Sequence, residues 1–194
     1  MNRAIQITII LLSSFLYIGC AVVPVVDLSD PVSIETNISV YYDQFRKTTR
    51  VDSPIVQYDN PIGTFFGGQV VLPKSKHISL VSSFTGDQDS DVFILLDDTY
   101  QGEWRYYQSA TDIEGNDLPY INTNRDVKGC IQGCNLNEIG FIRISYQYLI
   151  DHREKDIQVR VYGSNGSTDI VIPKLLVATY VNYLNRNYSS VFGS

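Results

Sequence analysis

Short runs of alternating apolar and polar residues, separated by turn-forming residues, fill most of the chain after about residue 34. Residues 34–42 place an apolar or β-branched side chain at every second position, and residues 139–146 and 157–161 alternate in the same way. A period of two is typical of a strand with one buried face. Asn165-Gly166 is the dipeptide most typical of a two-residue hairpin turn. The pattern predicts a mainly β domain of antiparallel strands, either a β-sandwich or an incomplete barrel.

One longer helix is expected near the C-terminus, beginning at Pro173 or Lys174. Largely apolar side chains then recur at helical spacing, at Leu175, Leu176, Thr179, Tyr180, Tyr183 and Leu184. Elsewhere we predict that the apolar run at 92–96 pairs with residues 104–108 as a hairpin. Residues 114–134 show little periodicity and are expected to form a long loop.

The first nineteen residues have the layout of a secretory signal. Arg3 and the amino terminus supply positive charge, a largely apolar run covers residues 4–18, and Gly19 precedes Cys20. The run is shorter than the roughly 20 apolar residues that a membrane-spanning helix needs. Its end resembles the lipobox of bacterial lipoproteins, although Tyr17 stands where that motif prefers an aliphatic residue. The resemblance implies cleavage after residue 19 and lipidation of Cys20, and the alternative is an ordinary signal peptide with Cys20 in a disulfide.

Lipid on Cys20 would anchor the chain in the bacterial envelope, because several acyl chains bind a membrane stably where one does not. Ala21 follows, whereas an aspartate there favours the inner membrane in enteric-type lipoproteins, so we expect the outer membrane, with the domain facing the periplasm. The expected organisation is a signal peptide at 1–19, a tether at 20–33, a single β-rich domain at 34–188 and a frayed tail at 189–194. The chain carries 15 Lys and Arg against 21 Asp and Glu, which argues against a nucleic-acid partner.

Cys130 and Cys134 are the remaining cysteines. An even pair in an oxidising compartment favours a disulfide that closes a small loop, and Gly129 and Gly133 would let the backbone bend there. A redox-active pair, a metal site and free thiols stay open as alternatives. A thioredoxin-like site, however, has two residues between its cysteines, and three lie between these.

No arrangement of residues specifies an enzyme mechanism, and no cofactor is expected. The sequence has no Gly-x-Ser-x-Gly elbow, and His77 and His152 are expected on the surface. Asp87, Asp89 and Asp91 alternate as they would in a calcium loop, but Val92 stands where an EF-hand needs glycine. We therefore favour a solvated acidic turn over a calcium site.

Trp104, Arg105 and Tyr107 form a candidate binding surface, in a stretch where Tyr100 and Tyr106 add further aromatic side chains. On a strand, Trp104 and Tyr106 would share one face, and Arg105 and Tyr107 would share the other. We expect the face of Trp104 to belong to the core, and the other could be an exposed strip suited to binding.

Spaced segments across about residues 44–184 carry a further resemblance. They are Trp104–Ala110, Arg125–Val127, Cys130 with Cys134, Glu138, Ile142–Ser145, Tyr148, Leu149, Val161–Gly163, Gly166 and Pro173. Together they resemble a group of proteobacterial lipoproteins of unknown activity. The resemblance implies a periplasm-facing β-rich domain that shares the cysteine pair, and it implies no reaction or substrate.

The leading hypothesis is a non-enzymatic envelope lipoprotein that acts as an interaction or accessory module. Its partners would be the membrane, through the lipid, and another envelope protein or a glycan. The alternatives are an envelope hydrolase with a site in the 110–135 loop, using a carboxylate such as Asp112 or Asp126, and a glycan-binding module around Trp104.

Overall fold

The structure is a computed structural model that describes residues 26–58, 65–66, 69–70, 75–86, 90–130 and 133–192. Cys20 lies outside the described residues, and so do Asp87 and Asp89; the lipidation site and the signal peptide therefore stay predictions. The helices are α1 Pro31–Thr36, α2 Tyr146–Asp151, α3 Lys174–Asn187 and α4 Ser189–Phe192. The strands are β1 Ser39–Asp43, β2 Thr48–Asp52, β3 Val56–Tyr58, β4 Phe65–Phe66, β5 Gln69–Val70, β6 Ser75–Thr85, β7 Asp91–Gln101, β8 Tyr107–Asp112, β9 Asp117–Leu118, β10 Tyr120–Cys130, β11 Cys134–Ile144, β12 Ile157–Gly163 and β13 Gly166–Ile172.

Two antiparallel sheets make up the body of the molecule. The larger sheet has the strand order β1-β2-β6-β7-β11-β10, with β3 also paired to β6. The smaller sheet has the order β13-β12-β8-β9, and β4 and β5 form a separate pair. The prediction of a mainly β antiparallel domain with a C-terminal helix is confirmed. Of the two architectures expected, the sheets are sandwich-like and not closed into a barrel.

Each sheet buries one face in a single hydrophobic core. Along β7 the inward side chains of Val92, Ile94 and Leu96 are buried, and the residues between them are partly exposed. Strand β12 repeats the pattern with its inward-facing isoleucine and valines. This is the alternation expected when one face of each sheet packs into the core.

Helix α3 completes the core over one part of the larger sheet. It begins at Lys174, as predicted, and it buries Leu176, Val177 and Leu184. The Tyr180 hydroxyl donates a hydrogen bond to the carbonyl of Val51 at 2.7 Å and lies 2.9 Å from the Ser82 hydroxyl oxygen. These bonds attach the helix to β2 and β6. Within the described residues, no helix has the length and apolar character that crossing a membrane requires.

The ends of the domain differ from the prediction. Residues 31–36 form α1 and not the start of a strand, because the Asp30 carboxylate accepts the N–H groups of Val32 and Ser33 and proline occupies the first turn. A helix is thus present within the segment that was expected to be part of the tether. At the other end the expected frayed tail is helical through Phe192, whose ring packs 5.4 Å from Phe84.

The predicted hairpin between 92–96 and 104–108 is wrong, since β7 pairs with β6 and β11. Gly102 and Tyr106 have φ angles of 122° and 54°, and the chain leaves the larger sheet between them to start β8 in the smaller one. The predicted loop at 114–134 is also wrong, because β9 and β10 occupy most of it.

The predicted disulfide between Cys130 and Cys134 is confirmed. The two cysteines lie directly opposite one another at the end of the β10–β11 hairpin. The bond therefore closes the tip of that hairpin.

Candidate functional site: the Glu138 cluster and the Tyr106 platform

A buried carboxylate lies where the two sheets meet. Glu138 stands on the inward face of β11, opposite Asp98 of β7, and its side chain is completely shielded from solvent. An ionised group in such a place is stable only when it is paired and hydrogen-bonded. We call the residues around it the Glu138 cluster, which consists of Asp98, Tyr100, Arg105, Tyr107, Arg125 and Glu138.

Three consecutive backbone N–H groups converge on the Glu138 carboxylate. Its Oε1 accepts from the N–H groups of Arg105 at 3.1 Å and Tyr106 at 3.0 Å, and its Oε2 accepts from the N–H of Tyr107 at 3.1 Å. Successive N–H groups in a turn that includes a left-handed residue form a concave anion site, and Tyr106 has the left-handed φ of 54°. A side chain of the larger sheet thus fixes the first residues of the smaller sheet.

Side chains complete the bonding of Glu138. Arg125 donates from Nε to Oε2 at 2.9 Å, and the Tyr100 hydroxyl donates to Oε1. Burial alone would raise the pKa of Glu138. The hydrogen bonds from Tyr100, Arg125 and the backbone together outweigh burial and hold the pKa below its ordinary value. Glu138 is therefore an ionised carboxylate whose oxygens both accept bonds from within the chain.

Asp98 organises the second half of the cluster. Its Oδ2 accepts from Arg105 Nη1 at 2.8 Å and from the Tyr107 hydroxyl at 2.6 Å. The Arg105 guanidinium also lies 4.0 Å from the centre of the Tyr100 ring, a cation–π contact. Burial raises the pKa of Asp98, and the bonds from Tyr107 and Arg105 only partly oppose that rise. The pKa of Asp98 is thus raised and that of Glu138 is lowered. Both carboxylates accept hydrogen bonds from Arg105 and Tyr107 and so hold the segment that starts at Arg105.

That segment presents an aromatic surface, which we call the Tyr106 platform: Trp104, Tyr106 and Arg125. Tyr106 is 43% exposed. The Arg125 guanidinium carbon lies 5.2 Å from the centre of its ring, and the Trp104 ring centre lies 6.4 Å away. The Asn165 side-chain amide donates to the Trp104 carbonyl at 3.1 Å, which ties the platform to the β12–β13 turn.

The predicted binding surface of Trp104, Arg105 and Tyr107 is therefore corrected. Tyr107 is only 1% exposed, and Trp104 is partly buried against the core. Arg105 points to Asp98. The prediction assumed that these residues alternate along a strand, but the backbone turns at Tyr106 with a left-handed conformation. As a result, the Tyr106 ring is the most exposed of the group.

The carboxylates considered for a hydrolase lie on strands and not in a loop. Asp112, at the end of β8, accepts the N–H groups of Glu114 at 3.0 Å and Asn116 at 2.8 Å, and so stabilises the β8–β9 turn. Asp126 is exposed on β10 and pairs with Lys128 at 3.3 Å. The structure gives each of them a local structural contact.

His152 and Asp91 both make contacts within the chain. His152 is buried, where we expected it on the surface: its ring stacks 4.0 Å from the Tyr148 ring and its Nδ1 lies 2.8 Å from the Tyr148 carbonyl oxygen. Asp91, the one described residue of the weak calcium candidate, pairs with Arg143. Among the described residues, no three His, Cys, Asp or Glu side chains gather as metal ligands would.

Glu138 gives the stability of the fold a defined pH dependence. Because folding lowers its pKa below the ordinary 4.5, its contribution is present above that pH and is lost as the pH falls through the folded-state pKa. Glu138→Gln is neutral at every pH, so we expect its stability deficit relative to the unsubstituted chain to be large near pH 7 and smaller near about pH 3. Urea unfolding of both chains at the two pH values measures this, and an equal deficit at both would contradict it.

Comparison of the chain with models of protein families, with curated proteins and with solved structures finds no match.

Proposed function

We propose that this chain is a bacterial envelope lipoprotein, anchored through Cys20, whose β domain binds another envelope protein through the Tyr106 platform. One observation carries the binding part: Glu138 holds Tyr106 in a left-handed backbone conformation while the ring remains exposed. That conformation costs a residue other than glycine about 1–3 kcal/mol, and it persists only where the surrounding structure imposes it. Such strained residues concentrate at binding sites.

The composition of the platform favours a protein partner. Tyrosine, tryptophan and arginine are the residues that contribute most to protein–protein binding energy. Trp104 and Arg125 flank the Tyr106 ring, and Arg125 is itself held by Glu138. A surface that is already ordered loses little side-chain entropy on binding. The platform is thus suited to act as a rigid anchor for a partner.

Two observations support the lipoprotein part of the proposal. The sequence before Cys20 resembles a lipobox, and the disulfide between Cys130 and Cys134 is typical of a protein folded in an oxidising compartment. Lipid on Cys20 would keep the platform within reach of other envelope proteins. Mass spectrometry of the chain from a membrane fraction tests this part directly, since an unmodified Cys20 would refute the anchor without bearing on the platform.

Photo-cross-linking in cells tests the binding part. With a benzophenone amino acid at position 106, we expect a discrete cross-linked protein species after illumination. The matched control carries the same amino acid at position 113, because Ile113 is 67% exposed and lies outside the platform. Arg125→Ala, introduced together with the probe, should reduce the yield several-fold because it removes one side of the platform and also a hydrogen-bond partner of Glu138, which fixes the backbone of residue 106.

The outcomes separate the hypotheses. Equal cross-linking from positions 106 and 113 would contradict a specific protein surface. A species at position 106 that is carbohydrate and not protein would replace the protein partner with a glycan.

A further inference from the structure

We propose that two copies of this chain pair through β1, antiparallel to one another and centred on Tyr41. Among the described strands, β1 is the last on one side of the larger sheet, and none of them lies beside the backbone groups on its outer side. All five of its residues are exposed. Its aromatic side chains lie on both faces, with Tyr41 59% and Tyr42 63% exposed. An edge of this kind is a template for pairing with another strand.

Strand β10, at the opposite edge of the same sheet, has features that hinder pairing with another strand, and β1 lacks them. Strand β10 has two register shifts in its pairing with β11, and it carries the charged residues Arg125, Asp126 and Lys128. Bulges and charged side chains are the usual means by which proteins prevent edge pairing. Strand β1 has no proline, no lysine and no register shift against β2. The contrast indicates that β1 is an edge kept open for a partner.

The outer edge of the smaller sheet is also covered. The Tyr58 hydroxyl donates to the carbonyl of Val171, and the Lys76 ammonium donates to the carbonyl of Asp169 at 2.9 Å. Both carbonyls belong to β13, one of the two end strands of that sheet. Of the edge strands β1, β10 and β13, β1 is thus the most suitable match for β1 of another copy.

Strand β1 is self-complementary about Tyr41. In an antiparallel pair centred there, Val40 lies opposite Tyr42 of the second copy, and the two Tyr41 side chains lie opposite each other. Aromatic–aromatic and aromatic–β-branched pairs are favourable across strands, and this register places no like charges opposite one another. The only charged residue in the strand, Asp43, lies opposite Ser39 of the second copy.

Charges beyond the strand favour the same arrangement. Arg46 and Lys47 lie at the exposed tip of the β1–β2 hairpin. The two-fold relation brings this tip toward the end of α1 in the second copy, which carries Glu35 and the carbonyl end of the helix. Positive side chains interact favourably with that end of a helix, although Glu35 also pairs with Arg186 of its own chain and Arg46 lies 3.9 Å from Asp43 of its own chain. A second copy therefore matches β1 in hydrogen bonding, side chains and charge.

Sedimentation equilibrium of the full chain in mild detergent tests the pairing. We expect a concentration-dependent monomer–dimer equilibrium that Tyr41→Lys weakens about tenfold, because the substitution removes an aromatic pair and places two positive charges opposite each other. Ile121→Lys on β10 is the matched control, since Ile121 is also exposed on an edge strand of this sheet. It should change the dimer dissociation constant by less than about twofold. Tyr41 is exposed, so circular dichroism should show both variants folded.

A covalent test fixes the register. In a Cys20→Ser background, Tyr41→Cys should form a disulfide-linked dimer on mild oxidation, because residues directly opposite in an antiparallel pair lie about 4.5–5.5 Å apart at Cα, within the range for a disulfide. Ile121→Cys should not form one. A chain that stays monomeric at every concentration, equal weakening by the two lysine variants, or equal cross-linking of the two cysteine variants would each overturn the proposal. None of these results depends on the Tyr106 platform.

Discussion

Replacement of Glu138 by alanine should lower the free energy of unfolding by about 3–5 kcal/mol, the range for breaking a buried ion pair. The substitution removes the acceptor for the backbone N–H groups of Tyr106 and Tyr107 and for Nε of Arg125, and it leaves the Arg105 N–H with only the Tyr100 hydroxyl oxygen at 2.9 Å. Buried donors without a partner cost about 1–3 kcal/mol each. Because these donors come from the start of the smaller sheet and from β10, the loss should loosen the contact between the sheets.

Thermal and urea unfolding measure this effect. For a chain of this size, each kcal/mol lowers the melting temperature by roughly 2–4 °C, so a decrease of about 10 °C is expected. Glu154→Ala is the matched control, because the Glu154 side chain is 88% exposed and should change stability by less than about 0.5 kcal/mol. A Glu138→Ala chain as stable as that control would show that the carboxylate does not hold the sheets together.

Substitution of Gly163 by alanine should destabilise the chain by about 3 kcal/mol, at the upper end of the usual cost of overpacking. A Cβ atom at Gly163 would lie 2.0 Å from the carbonyl oxygen of Arg105. That oxygen cannot easily move away, because it accepts the N–H of Asn165 at 3.1 Å and because Glu138 holds the Arg105 backbone from the other side. The close approach of these two backbones therefore requires glycine.

Gly86→Ala separates this steric effect from the general cost of replacing glycine. Gly86 has a φ of 60°, and a Cβ there would meet no atom within 4 Å. Its substitution should cost only about 1 kcal/mol, from the backbone conformation alone. Denaturant unfolding of the two variants compares them, and a Gly163→Ala chain that loses no more stability than Gly86→Ala would contradict the steric argument.

The parts of the fold that the sequence predicts are those with a local signal. The alternation in residues 157–161 and the turn-forming residues after Gly163 predict the β12–β13 hairpin, because side-chain period and turn chemistry are properties of neighbouring residues. The two-residue turn itself is Ser164-Asn165, since Gly163 pairs with Gly166, the first residue of β13. The apolar stripe from Leu175 to Leu184 predicts α3 for the same reason. The capping sequence Asp30-Pro31 is also local, and it could have revealed α1.

Strand partners are a different matter, since they depend on contacts between distant parts of the chain. Strand β7 pairs with β6 and with β11, and nothing in its own sequence distinguishes these partners from the nearer residues 104–108. After β7 the chain leaves the larger sheet through a left-handed backbone conformation at Tyr106. A tyrosine in the sequence does not indicate such a conformation.

The Glu138 cluster was predictable only in part. Residues an even number of positions apart on a strand share a face, so Glu138 lies on the same face of β11 as Ile142 and Ile144. This spacing is enough to indicate a carboxylate that faces the core. Its donors could not be predicted, because three of them are backbone groups that converge only after the turn at Tyr106 has formed.

Because one carboxylate both joins the sheets and sets the conformation of Tyr106, the proposed binding at the Tyr106 platform would be thermodynamically linked to folding. A ligand that binds only the native arrangement of residues 104–106 should raise the melting temperature in proportion to its occupancy. The reverse also holds: substitutions between the two sheets, far from any contact with such a ligand, should weaken its affinity by lowering the fraction of molecules in which the Tyr106 platform is correctly formed.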